Sequence, residues 1–594
     1  MPGPHSSRGD LRRARDTKGA ALRLLGYLKP YAAQLTLVVV MILATSAFSV
    51  LQPSISGNVT TELYNGVTSG QFAWPHITQL LLTLAGIYLA SSAFQALQGV
   101  IMNRMTTKVL QGMRDEIDEK VHRLPLDYYD ARTSGEILSV ITNDVDMVDG
   151  AISRNLTQLV SQLVTVVGIF VMMVRISGWL TLIAVLMVPI SLVASLGVIT
   201  KSRTYFADQQ SQLGDLNGYI EELYDGQNVV QAFNYQQRAI ERFDELNERL
   251  ATTARKASVT SGAVRPITTT VTNLGYALSA ALGCLFALQG RIAVGDVQAM
   301  LQYSRQFSQP FTQIAAMAGG LAAAMAAAER IFDLLDAAEQ PPDPEEPSVP
   351  ASREGRVSFE HVRFGYAPGK ELMHDVSFAV EPGQKVAIVG PTGAGKTTLV
   401  NLLMRFYEVG GGSIVVDGVP SREMTRAELR SRFGMVLQDT WLFEGTVRDN
   451  LAYGRAGATE EDVVRAAKAA SVDSIIRTMP GSYDMVLSSG AENVSQGERQ
   501  LLTIARALVA DPEIMILDEA TSNVDARTEQ VIQEAMAELL KGRTSFVIAH
   551  RLSTIRDADK ILYMEHGDIL ETGTHDELMA LDGKYAALYN SQFA

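Results

Sequence analysis

The chain has 594 residues, 47% of them hydrophobic and 20% charged, and a single cysteine. It is too long for one core and too hydrophobic to be disordered or collagen-like, and Cys284 alone excludes an internal disulfide framework or a multi-cysteine metal site. Residues 337–594 hold 25 Lys and Arg against 39 Asp and Glu, whereas residues 1–336 hold 26 of each sign, which argues against nucleic acid or an anionic membrane surface as a partner of the acidic half.

Residues 1–30 carry Arg8, Arg12, Arg13, Arg15, Lys18, Arg23 and Lys29 ahead of the first apolar stretch. By the positive-inside rule this flank is cytoplasmic. A signal peptide fits poorly, because the apolar run begins about 35 residues in and no small-residue cleavage site follows it.

Residues 31–336 contain six apolar stretches near the roughly 20 residues that cross a hydrocarbon layer. They run approximately Leu35 to Val50, Ile77 to Leu97, Leu156 to Val174, Leu180 to Ile199, Ile267 to Leu288, and Val297 to Ala327. With the N-terminus inside, the long charged connections after the second and fourth spans are cytoplasmic. Helical spacing there predicts helices continuing out of the membrane, over Thr106 to Arg123, Lys201 to Val229 and Gln236 to Thr253. By contrast, Arg175 to Gly178 is only a turn.

The sixth stretch carries Arg305 with Gln302, Gln306, Gln309 and Gln313 at three- and four-residue spacing, so most of these share one face. A cation in an apolar span is costly; the face lines a pathway or forms a buried hydrogen-bond network. The small-residue run Ala315 to Ala328 allows close helix approach, either at a gate or shared interface or in ordinary packing.

Residues 337–355, with five prolines and several acids, read as a linker. From residue 356 to 594, short β-rich runs alternate with helical patterns, as in an α/β domain. There the run Lys385 to Val389 leads into Gly390, Gly393, Gly395, Lys396 and Thr397, a Gly-x-x-x-x-Gly-Lys-Thr motif, and then into the apolar helix Leu399 to Phe406. A strand, a glycine-rich turn and a helix N-terminus cradle phosphate. Backbone N–H groups from Thr392 to Thr398, including Ala394, curve round it, Lys396 neutralises the terminal phosphates, and the Thr397 hydroxyl suits Mg²⁺. Ile514 to Leu517 then reads as a central strand ending in Asp518 and Glu519. A carboxylate there sits where open α/β sheets bind ligands: Asp518 for Mg²⁺, Glu519 as the base for the attacking water.

With these motifs in this order the chain resembles a half-transporter of the ATP-binding cassette superfamily, over nearly its whole length after the basic N-terminus. The resemblance implies a six-span α-helical transmembrane domain of the type I exporter fold, then an α/β P-loop ATPase domain with a helical subdomain. It matches Tyr366 to the residue that stacks on adenine, Gln438 to the glutamine reaching Mg²⁺ and the attacking water, and His550 to the switch histidine at the γ-phosphate. Ser522 to Asp525 matches the loop that couples two cassettes. Leu126 to Gly135 and Phe233 to Phe243 match the loop segments that dock on cassettes.

The family's signature segment reads Val494, Ser495, Gln496, Gly497, Glu498 here, so Ser495 and Gly497 keep the pattern while Gln496 and Glu498 depart from it. Two like charges about 6 Å apart at an effective dielectric of about 20 repel by on the order of 3 kcal/mol, so Glu498 is expected to weaken the site this signature serves. Since the signature acts on the partner's nucleotide, the resemblance favours an unlike second subunit, as in bacterial heterodimeric multidrug or lipid exporters, over a homodimer. It implies ATP-driven transport of a hydrophobic or amphipathic molecule in the bacterial cytoplasmic membrane. An ATP-gated channel or sensor, an importer, or an anchored ATPase that moves nothing are the alternatives.

Overall fold

The computed structural model describes residues 16–367, 369–437, 440–518, 526–549 and 555–593. The chain divides into two compact units: residues up to His122 with Thr133–Ala337, and Arg123–Arg132 with Ala338–Ala594.

The first unit is helical. Its longer elements are α1 (Thr17–Leu28), α2 (Ala32–Ser69), α3 (Trp74–Arg123), α5 (Thr157–Ile176), α6 (Gly178–Asp225), α7 (Gln236–Gly262), α8 (Val264–Leu288) and α9 (Val294–Leu335); α4 (Leu126–Asp130) belongs to the second unit. Among the described residues five helical stretches are long and apolar enough to cross a membrane; α9 carries the sixth stretch seen in the sequence. The charged connections are helical, as their spacing predicts: α3 runs unbroken to Arg123 and α6 to Asp225. Asp16 caps α1 by accepting from the Gly19 N–H at 2.8 Å. This helix is tied down at both sides, with Arg23 donating to Asp336 at 2.6 Å and the Tyr27 hydroxyl donating to Glu116.

Helices α2 and α9 meet backbone to backbone at Gly57 and Gly295, where a Cβ on Gly295 would fall 1.8 Å from the Gly57 carbonyl oxygen. Any side chain there forces the two helices apart. Below this contact Tyr303 is fully buried and donates to the Val50 carbonyl at 2.6 Å. Two π-helical turns, Val140–Asp144 and Ala151–Leu156, lead into α5. The first presents Asp144 to Arg330 of α9, whose Nε donates to it at 2.8 Å.

The second unit contains an antiparallel sheet and a mostly parallel one. Strands β1 (Val357–Phe364), β2 (Met373–Val380), β4 (Gly411–Val416) and β5 (Val419–Pro420) make the first, in the order β2-β1-β4-β5. The second runs β10-β9-β3-β8-β7-β6, using β3 (Lys385–Val389), β6 (Phe433–Val436), β7 (Ile514–Asp518), β8 (Thr544–Ile548), β9 (Lys560–Glu565) and β10 (Asp568–Gly573). Strands β3 and β8 are buried along nearly their whole length, as parallel strands covered on both faces must be. Short helices from Val447 to Thr478, with α11 (Gln496–Ala510), bury Leu451, Val463, Ile476 and Leu501 in one core with Val436, Leu517 and Val547 of the parallel sheet.

The proline-rich segment after Ala337 has no regular structure but is held at several points. Gln340 donates to the Arg123 carbonyl at 3.0 Å, Arg426 reaches Asp343 at 2.8 Å, and Ser348 donates to the Glu423 carbonyl at 2.8 Å.

Candidate functional site

Strand β3 ends at Val389, and the chain turns through Gly390, Gly393 and Gly395 into α10 (Lys396–Leu403). Gly393 and Gly395 have φ of +82° and +99°, and a Cβ on Gly390 would sit 2.1 Å from the Met564 carbonyl oxygen, so these glycines are required by conformation and space. Ala394 is buried and its carbonyl accepts from the Gly567 N–H at 2.9 Å, which fixes the loop to the β9–β10 turn. Thr392 and Gly393 face outward.

The Lys396 amine folds back on this loop, donating to the Gly390 carbonyl at 2.6 Å and the Pro391 carbonyl at 3.1 Å. Burial draws its pKa below the ordinary lysine value, and the charge of Asp518 opposes that shift. Asp518 ends β7 opposite Ile548 of β8, and Ile548 in turn lies opposite Ile388 of β3. Lysine and carboxylate therefore occupy the carboxyl edge of one sheet, beside a helix N-terminus. Glycine-loop N–H groups, a cation and an acid so arranged can hold a polyphosphate.

Thr397 is exposed at the start of α10, while Thr398 is buried with its hydroxyl 2.9 Å from the Tyr366 hydroxyl. The Tyr366 ring is half-exposed and stands edge-on to Phe364 and Tyr407. Gln438, Glu519, His550 and the loop Ser522 to Asp525 lie outside the described residues. Strands β6, β7 and β8, which precede them in sequence, pair in parallel and end at the same sheet edge as β3.

In the signature segment Ser495 caps α11 in a reciprocal box. Its N–H and hydroxyl both donate to Glu498 Oε2 at 2.8 Å, and the Glu498 N–H donates to Ser495 Oγ at 3.3 Å. The Glu498 carboxylate, expected from charge alone to confront a phosphate, is thus turned onto its own helix cap. Gly497 is buried in the first turn.

Sequence reasoning did not find Tyr407. Its hydroxyl donates to Asp130 at the end of α4, and burial, then that carboxylate, raise its pKa. The same aromatic cluster that holds Tyr366 therefore grips a segment lying in sequence just after α3.

The family profile described as ABC transporter transmembrane region matches residues 35–311, and that described as ABC transporter matches residues 373–522. A fatty acid ABC transporter ATP-binding/permease protein of Mycobacterium tuberculosis is 44% identical, covering 96% of this chain and 96% of that protein. The chain belongs to the ATP-binding cassette transporter family. An uncharacterized ABC transporter ATP-binding protein of Bacillus subtilis, YfiC, is 40% identical over 98% of this transporter and 95% of its own length. The solved structure of a bacterial Atm1-family ABC exporter with ATP bound superposes with a TM-score of 0.72 at 28% identity, covering 95% of this chain and 98% of that one.

The transporter therefore has the type I exporter fold, a multi-pass membrane unit fused to an ABC ATPase. It binds ATP and couples its hydrolysis to export of a substrate.

Proposed function

We propose that this transporter is one half of a dimer that exports a hydrophobic or amphipathic small molecule or lipid by alternating access. ATP closes two cassettes on each other and hydrolysis releases them. The observation that carries the reading is the grip of Tyr407 on Asp130, with Gln340 on the Arg123 and Leu124 carbonyls. Segment 123–132 continues α3 in sequence yet packs in the cassette unit, so a change around Tyr366 bears directly on the end of a membrane helix. The fatty acid relative supports an amphipathic cargo. Domains follow the sequence boundaries: elbow 1–30, membrane domain 31–336, linker 337–355 and cassette 356–594, with the N-terminus and cassette cytoplasmic.

At the nucleotide, Thr392 to Thr398 wrap the phosphates, Lys396 leaves its loop carbonyls for the terminal phosphates, and Tyr366 stacks on adenine. Thr397 and Asp518, hard oxygen donors at the helix start and strand end, fit Mg²⁺, and we assign Gln438 to the same ion from its place in the sequence motif. When bound, that ion supplies charge stabilisation to the leaving phosphate. Glu519 takes the proton of the attacking water, and His550 contacts the γ-phosphate.

Ser495 and Gly497 serve the partner's nucleotide. The Ser495 hydroxyl already donates to Glu498, which makes that second site the slower one and favours an unlike partner. Exposed Tyr224, Val229 and Phe233 at the tip of the second cytoplasmic loop supply an apolar surface for the partner's cassette. Copurification of the native complex decides: a second, different cassette chain is expected, and a chain found only with copies of itself reverses the assignment.

Glu519→Gln should retain ATP binding and lose about 10²–10⁴ of turnover, the usual worth of a general base. Unchanged turnover removes Glu519 as base. A conductance that persists in Glu519→Gln with a non-hydrolysable nucleotide turns the reading toward an ATP-gated channel.

A further inference from the structure

A cavity of about 790 Å³ lies between α2, α8 and α9, within the size range of drug-sized ligand sites. Its one charged lining residue among the described residues is Arg305. The guanidinium sits 4.3 Å from the Tyr276 ring centroid, a contact that uses its flat face and leaves the in-plane N–H groups directed elsewhere. Among the described residues no carboxylate lies within ion-pair distance of it. The neighbouring Gln298 is occupied, since Thr60 donates to it and it donates to Ser56 at 3.1 Å.

The cavity's lining is mixed, apolar on much of α8 and α9 and polar where Thr60, Tyr64 and Gln298 join it. Arg305 and Val294 stand eleven residues apart on α9, about 16 Å at 1.5 Å per residue. Tyr276 and Leu288 mark the same two levels on α8. From the arginine end, flanked by Gln302, an apolar strip of Leu301, Val297, Ala287 and Leu288 leads to the other end. A cation at span depth costs free energy unless it meets an anion, and among the described residues this one meets a ring and no carboxylate.

We infer that the cavity binds a single-chain amphipathic anion, its carboxylate held by the Arg305 fork against Tyr276 and its alkyl chain along α8 and α9. The inference rests on the export reading above and names the cargo class. Arginine matches a carboxylate with two parallel hydrogen bonds, and the apolar side chains of Leu301, Val297, Ala287 and Leu288 suit a hydrocarbon tail.

The transporter carries its own reporter, because Cys284 is the only cysteine, is exposed, and lines the same cavity. The rate of Cys284 alkylation by N-ethylmaleimide is measured in the purified full-length protein with palmitate or with methyl palmitate. Palmitate is expected to slow alkylation at concentrations about tenfold or more below those at which the ester does, the worth of a charge-assisted hydrogen bond. Arg305→Gln should erase that preference and Arg305→Lys, which keeps the charge but not the fork, should keep part of it. Equal protection by acid and ester, no protection by either, or a preference that survives Arg305→Gln overturns the inference. The wild-type comparison stands even if a variant fails to fold. ATP-driven uptake into inverted vesicles is scored separately. Palmitate protection without uptake of any amphiphile defeats the export reading and leaves the site, whereas uptake of ester and acid at equal rates keeps export and removes the anion.

Discussion

In the cassette unit Arg432, 1% exposed, donates to Asp417 at 2.8 Å, to Glu428 at 2.9 Å and to the Ser352 carbonyl at 3.0 Å. In the membrane unit Arg305 opens on a cavity and has a tyrosine ring beside it. Burying a charge is tolerable only with partners that replace water, and Arg432 has three of them. It is a brace between β4–β5, the helix Arg426–Ser431 and the linker. The membrane unit can build such a brace too, since Arg330 meets Asp144 there. The difference between Arg330 and Arg305 within one helix is therefore what separates a structural cation from one kept for something that arrives and leaves.

The comparison breaks first at Asp417. Asp417→Ala leaves Arg432 buried with one carboxylate fewer and also strips an acceptor from the Gly355 and Arg356 N–H groups, so a loss of about 3–5 kcal/mol is expected. Thermal unfolding of the full-length protein measures it, and a melting temperature equal to wild type would mean that this brace holds nothing. Arg330→Ala is the milder case. Asp144 is 3% exposed but Arg330 is 40% exposed, so water already shares the charge and a loss of about 1–3 kcal/mol is expected in the same measurement. An effect as large as that of Asp417→Ala would place Arg330 among the fully buried braces.

Local patterns were legible in the sequence, and contacts made across long separations were not. Apolar length and charge spacing found the membrane helices and their charged helical extensions, because a helix writes its faces at short range. The phosphate loop was equally plain, since Gly390, Gly393 and Gly395 are demanded by local backbone conformation and close approach. Tyr407 and Asp130 are 277 positions apart, and neither residue type in its own segment says that they meet. The glutamine stripe was seen as one face, and it is one, but its uses divide along α9. Gln302 and Arg305 line the cavity, while Gln313 accepts from Gln158 and Gln162 of α5. Spacing gives the face, and only packing says which neighbour each turn meets.

Glu498 gives the smallest expected effect and the sharpest test of how the cassette handles its own charges. Charge alone sets it against a phosphate. The capping box sets it against Ser495 instead, with both donors 2.8 Å from one carboxylate oxygen. Glu498→Gln keeps an oxygen in that place, so stability should move by less than about 0.5 kcal/mol, whereas Glu498→Ala removes the return half of the box and should cost about 1 kcal/mol. Turnover of the reconstituted complex adds the second axis. Removing a like charge that faces the phosphate directly would lower the barrier by about 3 kcal/mol, on the order of a hundredfold in rate. A carboxylate already neutralised in part by two donors should yield a rise below about tenfold. A hundredfold rise in Glu498→Gln would show that the cap opens when nucleotide binds, so that this acid, like Arg305, is kept for a ligand.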